Sequence, residues 1–127
     1  MTKKLEIYKC DICSNVVEVT HEGVGDLVCC NQEMRLLNEN VANGDNAHYA
    51  HLENIDELTK KVKFNHIATP EHHIEYIEAI SNDGKYIKRK FLTEDETPEL
   101  LFRCECKEGF YIRLYCNIDG VWVTKIN

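Results

Sequence analysis

Alternation of apolar and polar positions dominates this chain. Residues 61–66 alternate cleanly, and 72–80, 86–92, 100–106, 110–116 and 121–124 keep the same two-residue rhythm, with 72–80 partly apolar on both faces. Shorter β-favouring runs occupy 5–8 and 16–20. Turn signals stand between the later runs: Asn82-Asp83-Gly84, Lys107-Glu108-Gly109 and Asp119-Gly120. No segment sustains a 3.6-residue period, and 53–61 is at most a helical turn. The pattern predicts a mainly β protein whose larger part is an antiparallel β-sandwich.

The chain divides near residue 40. Residues 38–46 are polar, Asn-rich and carry a Gly44-Asp45 turn signal, so they read as a connection between a small module at 1–37 and the sandwich at 47–127. Composition then adds metal chemistry. Seven Cys in 127 residues is a high and odd count, which suits metal ligands in a reducing compartment better than a secreted disulfide framework. Five of the six His fall between His48 and His73. The net charge of −7, with no basic cluster beyond 88–90, argues against nucleic acid or an anionic membrane as partner. No run of 18 apolar residues exists and the first residues are not apolar, so no membrane span or secretory signal is expected. A cytoplasmic location is the expectation.

Cys10 and Cys13 form a Cys-x-x-Cys pair, and Cys29-Cys30 follows after fifteen intervening residues. Two such pairs can complete a tetrahedral thiolate cage. Neighbouring side chains on a strand point to opposite faces, so Cys29 and Cys30 can share one ion only where the backbone leaves the strand conformation. Spacing alone leaves zinc and iron open; zinc would be a redox-inert staple for a module too small to have a core. A second constellation is His48, His66, His72 and Cys116. Pro70 places His66 and His72 on a loop, and Cys116 ends a strand whose same face carries Phe110, Ile112 and Leu114, so its thiol should point inward. Mixed imidazole and thiolate donors suit iron or copper, less often catalytic zinc.

Residues 8–19 and 27–34, with the adjacent cysteines, resemble the desulforedoxin-like module of the desulfoferrodoxins, a two-domain branch of the superoxide reductase family. Residues 66–78 and the Tyr115-Cys116-Asn117 segment resemble the second domain of that family, and the likeness spans nearly the whole chain. It implies an immunoglobulin-like sandwich, iron held by Cys10, Cys13, Cys29 and Cys30, and a second iron at His48, His66, His72 and Cys116. It further implies reduction of superoxide to hydrogen peroxide opposite the Cys116 sulfur, a small redox protein as electron donor, and a homodimer. Three positions depart from the pattern. The family's fourth equatorial His is Asp119 here, and its Glu-Lys pair before the first ligand His is Asn46-Ala47. Asp119 could ligate as a carboxylate or leave a position open. The alternative function is therefore electron transfer, redox sensing or another iron-dependent reaction. A structural zinc-knuckle module is a third reading.

Other candidates have plainer expectations. Cys104 and Cys106 share a strand face with Leu100 and Phe102 and read as core cysteines before a redox pair. His51 and His21 read as surface residues, His73 as pointing away from the metal, and Trp122 as core packing.

Overall fold

The computed structural model describes residues 1–105 and 108–126. Among them every regular element is a strand. The chain forms two compact units, Met1–Asn38 and Glu39–Asn127.

In the first unit β1 (Ile7–Lys9) is the centre of a three-stranded sheet, flanked by β2 (Val16–Glu18) and β5 (Arg35–Leu37). A two-stranded ladder, β3 (Val28–Cys29) with β4 (Gln32–Glu33), completes it. Its buried apolar set is only Ile7, Cys10, Val19 and Leu37. So small a core supplies little stability without a further cross-link.

The second unit is a sandwich. One sheet runs β10 (Ile87–Phe91), β9 (Ile74–Ser81), β12 (Phe110–Cys116), β13 (Gly120–Ile126) and β6 (Glu39–Val41). The other runs β11 (Glu99–Arg103), β8 (Thr59–Lys63) and β7 (His51–Asn54). Alternation on β12 sends Phe110, Ile112, Leu114 and Cys116 into a core shared with Ile74, Ile77, Val62, Leu100 and Phe102. Each fully buried Ile or Leu contributes about 1.5–3 kcal/mol.

The opposite face of the larger sheet carries a buried row of charge. Arg89 donates to Glu78 at 2.6 Å, Arg113 donates to Glu78 at 2.9 Å, and Arg113 reaches Glu39 at 3.0 Å. Glu78 and Arg113 are 0% and 1% exposed. Burial disfavours the charge on Arg113, but Glu78 and Glu39 outweigh it, so its pKa lies above the ordinary value.

Two expectations change. The segment 53–61 is a β-hairpin, not a helical turn: the Asp56 carboxylate accepts from the Leu58 and Thr59 N–H groups and reverses the chain between β7 and β8. Glu39–Val41, inside the stretch read as a connection, is an edge strand pairing parallel with β13. Cys104 follows β11 and packs against the core; its companion Cys106 lies outside the described residues, so the pair has no structural reading.

Candidate metal centres

The first centre grows from two tight turns. After β1 the chain closes on itself, with the Ser14 N–H donating to the Cys10 carbonyl at 2.9 Å and the Cys10 N–H donating to that of Asn15 at 2.9 Å. Between β3 and β4, Cys30 and Asn31 both adopt left-handed φ, 55° and 60°. That is the two-residue turn of a tight hairpin. It takes Cys30 out of the strand conformation and turns its sulfur to the same side as that of Cys29, as two adjacent ligands require. The four Sγ atoms of Cys10, Cys13, Cys29 and Cys30 lie within 4.8 Å of one another. Cys13–Cys29 is 3.5 Å and Cys29–Cys30 is 3.9 Å. A tetrahedron with metal–sulfur bonds of about 2.3 Å has edges of about 3.8 Å. Cys10 is buried, while Cys13 and Cys30 face solvent.

The thiols are unequal. Backbone N–H groups of Cys13 and Ile12 stabilise the Cys10 thiolate and bring its pKa to about 7. Hydrogen bonding to Cys13, Cys29 and Cys10 pushes Cys30 up to about 12, and the Cys13 and Cys10 contacts likewise raise Cys29.

The second centre gathers at one end of the sandwich. His48 sits in a tight turn after β6, where the Asn46 N–H donates to the Asn43 carbonyl and that of Tyr49 to the Asn46 carbonyl. His66 and His72 lie on the β8–β9 loop. Thr69 and His72 exchange backbone hydrogen bonds of 3.0 and 3.2 Å across Pro70, which folds the loop back. The rings of His66 and His72 then meet edge to face at 4.9 Å. Cys116, 0% exposed, ends β12 on its inner face. Three residues later the hairpin to β13 places Asp119, with Gly120 at φ +83°. Only a residue without Cβ takes that conformation at no cost.

Asp119 Oδ2 lies 3.0 Å from His48 Nε2, 2.8 Å from His72 Nε2, 3.8 Å from His66 Nε2 and 3.5 Å from Cys116 Sγ. Ligand atoms of His48, His66, Cys116 and Asp119 all lie within 4.8 Å of one another; His72 joins them through Asp119. The His66 side chain is 2% exposed, those of His72 and Asp119 33% each, so the site opens along the His72–Asp119 edge.

Neighbours fix the imidazole tautomers. Asn46 Oδ1 accepts from the His48 backbone N–H at 2.7 Å and lies 2.8 Å from His48 Nδ1. Because the backbone group can only donate, the amide atom there is oxygen, and His48 Nδ1 carries the proton. The Ile67 carbonyl likewise holds the proton on His66 Nδ1 at 2.7 Å. In the neutral rings both Nε2 lone pairs therefore face inward, toward a carboxylate and a thiol. Acceptors converging this way are the donor set of a cation. Trp122 stacks on His48 at 4.6 Å and its Nε1–H donates to the Asp119 carbonyl at 2.9 Å. Asn117 accepts from the His73 N–H at 2.9 Å and donates to the Glu71 carbonyl at 3.0 Å, tying the Cys116–Asp119 turn to the histidine loop.

Burial lowers the pKa of His48, against the pull of Asp119. Burial raises that of Cys116, although the Asp119 and Ile118 N–H groups oppose it. For Asp119, burial is outweighed by hydrogen bonds from His72 and Cys116, which hold the carboxyl below its ordinary value.

The ligand candidates other than His72 thus fall in two clusters, a four-cysteine site and a His/Cys/Asp site, both consistent with iron, and His72 reaches the second through its 2.8 Å contact with Asp119. His51 and His21 are exposed, and His73 turns its Nδ1 to the Thr69 carbonyl instead. Sequence reasoning missed Asn46 and Asn117 as positioning residues and saw only packing in Trp122. The Tyr-Cys-Asn segment was a signal for Asn117; Asn46 had none.

Among the described residues no helix is long and apolar enough to cross a membrane. Residues 2–37 match the family model for the desulfoferrodoxin N-terminal domain, and residues 45–125 match that for desulfoferrodoxin itself. The desulfoferrodoxin of Desulfarculus baarsii is 39% identical over 127 residues, covering 96% of this chain and 97% of that one. That of Syntrophotalea carbinolica is 40% identical over 130 residues, covering 98% and 99%. The superoxide reductase of Treponema pallidum shares the fold, with a TM-score of 0.74 at 22% identity over 98% of this chain and 100% of that chain. With both family models and these relatives in agreement, the chain belongs to the desulfoferrodoxin family.

Proposed function

We propose that this protein is an iron-dependent superoxide reductase. One iron is held by Cys10, Cys13, Cys29 and Cys30, and a second by His48, His66, His72 and Cys116. Ferrous iron supplies one electron, and superoxide takes it up with two protons to give hydrogen peroxide. The observation that carries this reading is the inward convergence of the His48 and His66 lone pairs on a buried cysteine. Cys116 closes the inner side, so a small anion enters from the solvent side, past His72 and Asp119. The exposed Cys13 and Cys30 edge suits electron entry from a small redox protein. Free thiols gathered at metal-ligand spacing, at Cys10, Cys13, Cys29, Cys30 and Cys116, suit a reducing compartment such as the cytoplasm. The homodimer expected from the resemblance belongs to the same proposal.

The test is to mix anaerobically reduced, iron-loaded protein with superoxide. Loss of superoxide, with hydrogen peroxide formed per electron delivered and no dioxygen released, is expected; indifference to superoxide overturns the reading. Zinc in the four-cysteine site would leave that site colourless. An exposed Ala47 beside His48, where the family resemblance places a cationic Lys, favours a second reading as an electron-transfer or redox-sensing protein. An iron that cycles with a protein partner yet ignores superoxide would select it.

A further inference from the structure

We propose that Asp119 is itself a metal ligand, sharing one ion with His48, His66, His72 and Cys116. The proposal rests on the reading above that an ion occupies this cluster. With oxygen and nitrogen donors about 2.1 Å from an ion and sulfur about 2.3 Å, donors at right angles stand about 3.0–3.1 Å apart and opposite donors about 4.2 Å. Asp119 Oδ2 stands 3.0 Å from His48 Nε2 and 2.8 Å from His72 Nε2, both right-angle separations. Its 3.8 Å to His66 Nε2 falls between the right-angle and opposite separations, still within one coordination shell. Cys116 Sγ is 3.5 Å from Asp119 Oδ2 and 3.4 Å from His66 Nε2, longer than the right-angle value yet short enough for all three atoms to face one ion.

Plain hydrogen bonding accounts for the His72 and Cys116 contacts with Asp119 but poorly for the His48 contact. His48 Nδ1 has committed its proton to Asn46, whose oxygen is fixed by the His48 backbone N–H. The Nε2 of a neutral His48 therefore presents a lone pair to a carboxylate oxygen at 3.0 Å. Two acceptors at that distance need a positive charge between them. A metal ion satisfies both at once; a second proton on His48, in a ring 8% exposed, is the competing arrangement.

Ligation changes the charge of the centre. Three neutral imidazoles, one thiolate and one carboxylate neutralise a ferrous ion, and oxidation leaves a single positive charge. A carboxylate in place of an imidazole thus favours the ferric state and lowers the potential.

The full chain is loaded with ferrous iron anaerobically, as native protein and as Asp119→Asn, Asp119→Ala and Asp119→His. Iron per chain, the ferric-thiolate absorption of the second site and its potential are read. Asp119→Asn and Asp119→Ala should weaken second-site iron binding at least about ten-fold and shift the absorption. Asp119→His should restore binding and move the potential upward. Thermal unfolding of the metal-free forms identifies any variant that misfolds; Asp119→Asn keeps the size and the acceptor oxygen and stands in for it. Native affinity, spectrum and potential in both Asn and Ala variants would overturn the proposal and leave Asp119 as the partner of a protonated His48. A native protein that loads iron in an Asp119-dependent way but ignores superoxide sinks the proposed function alone. A second site that takes no iron sinks both.

Discussion

Asn46 decides which nitrogen of His48 faces the centre, although it touches no ligand position itself. Asn46→Ala frees the ring to swap tautomers, and second-site iron affinity should fall roughly 10–100-fold; Asn46→Asp, which keeps an acceptor, should lose less. Competition with a chelator measures both. At the four-cysteine site the thiols themselves set the pH response. Cys10 titrates near 7, while Cys30 stays protonated to about 12. A metal must displace those protons, so affinity should rise with pH through neutrality and fall more steeply below about 7, where Cys10 is protonated as well. A flat chelator titration across that range would contradict the assignment. The four-cysteine grouping was legible in the sequence because its cysteine pairs stand at metal spacing, whereas the histidine and Cys116 grouping was legible chiefly through the family resemblance. Asn46 and Trp122 were not, because their roles depend on a ring orientation and a stacking contact that spacing does not carry.

Strands with strict alternation, such as β12, were legible from their pattern, and so was the need for Cys29-Cys30 to leave the strand. The β7–β8 hairpin was not. Its turn depends on one side chain, Asp56, capping two backbone N–H groups, and the acidic and basic residues around it mimic a helical face. Nor does alternation reveal what lies across the larger sheet from the core. Glu78 sits between Arg89 and Arg113 with no exposure, a position that an outward-facing strand residue would not suggest. Glu78→Ala leaves Arg113 with only Glu39 of its two carboxylate partners named here and should cost roughly 3–5 kcal/mol. Glu78→Gln, which retains acceptor capacity, should cost less. Chemical denaturation of the metal-free protein gives both values.

The two units differ in how much chain each metal site must wait for. A protein beginning at Glu39 should fold and bind iron at the second site. One beginning at Ala47 loses β6, bares the edge of β13 and removes Glu39 from Arg113; it should unfold at a lower denaturant concentration. If the chain beginning at Glu39 fails to bind iron, the second unit does not assemble its site alone. The β6 pairing was hidden because three polar-flanked residues carry no strand signal of their own. The tight Cys30–Asn31 turn has a further consequence, in time. All four sulfurs of the first site lie between residues 10 and 30, so their cage closes over short loops. The second site draws on residues 48 to 119 and needs β12 already paired with β9. On a ribosome that emits the chain from its N-terminus, the first cage can fill while the histidine loop is still unmade. Chains arrested with residues 1–45 outside the ribosome should therefore already hold one metal ion, and no arrested chain should hold a second until Asp119 has emerged. The protein would hold one metal ion before the residues of its second site exist.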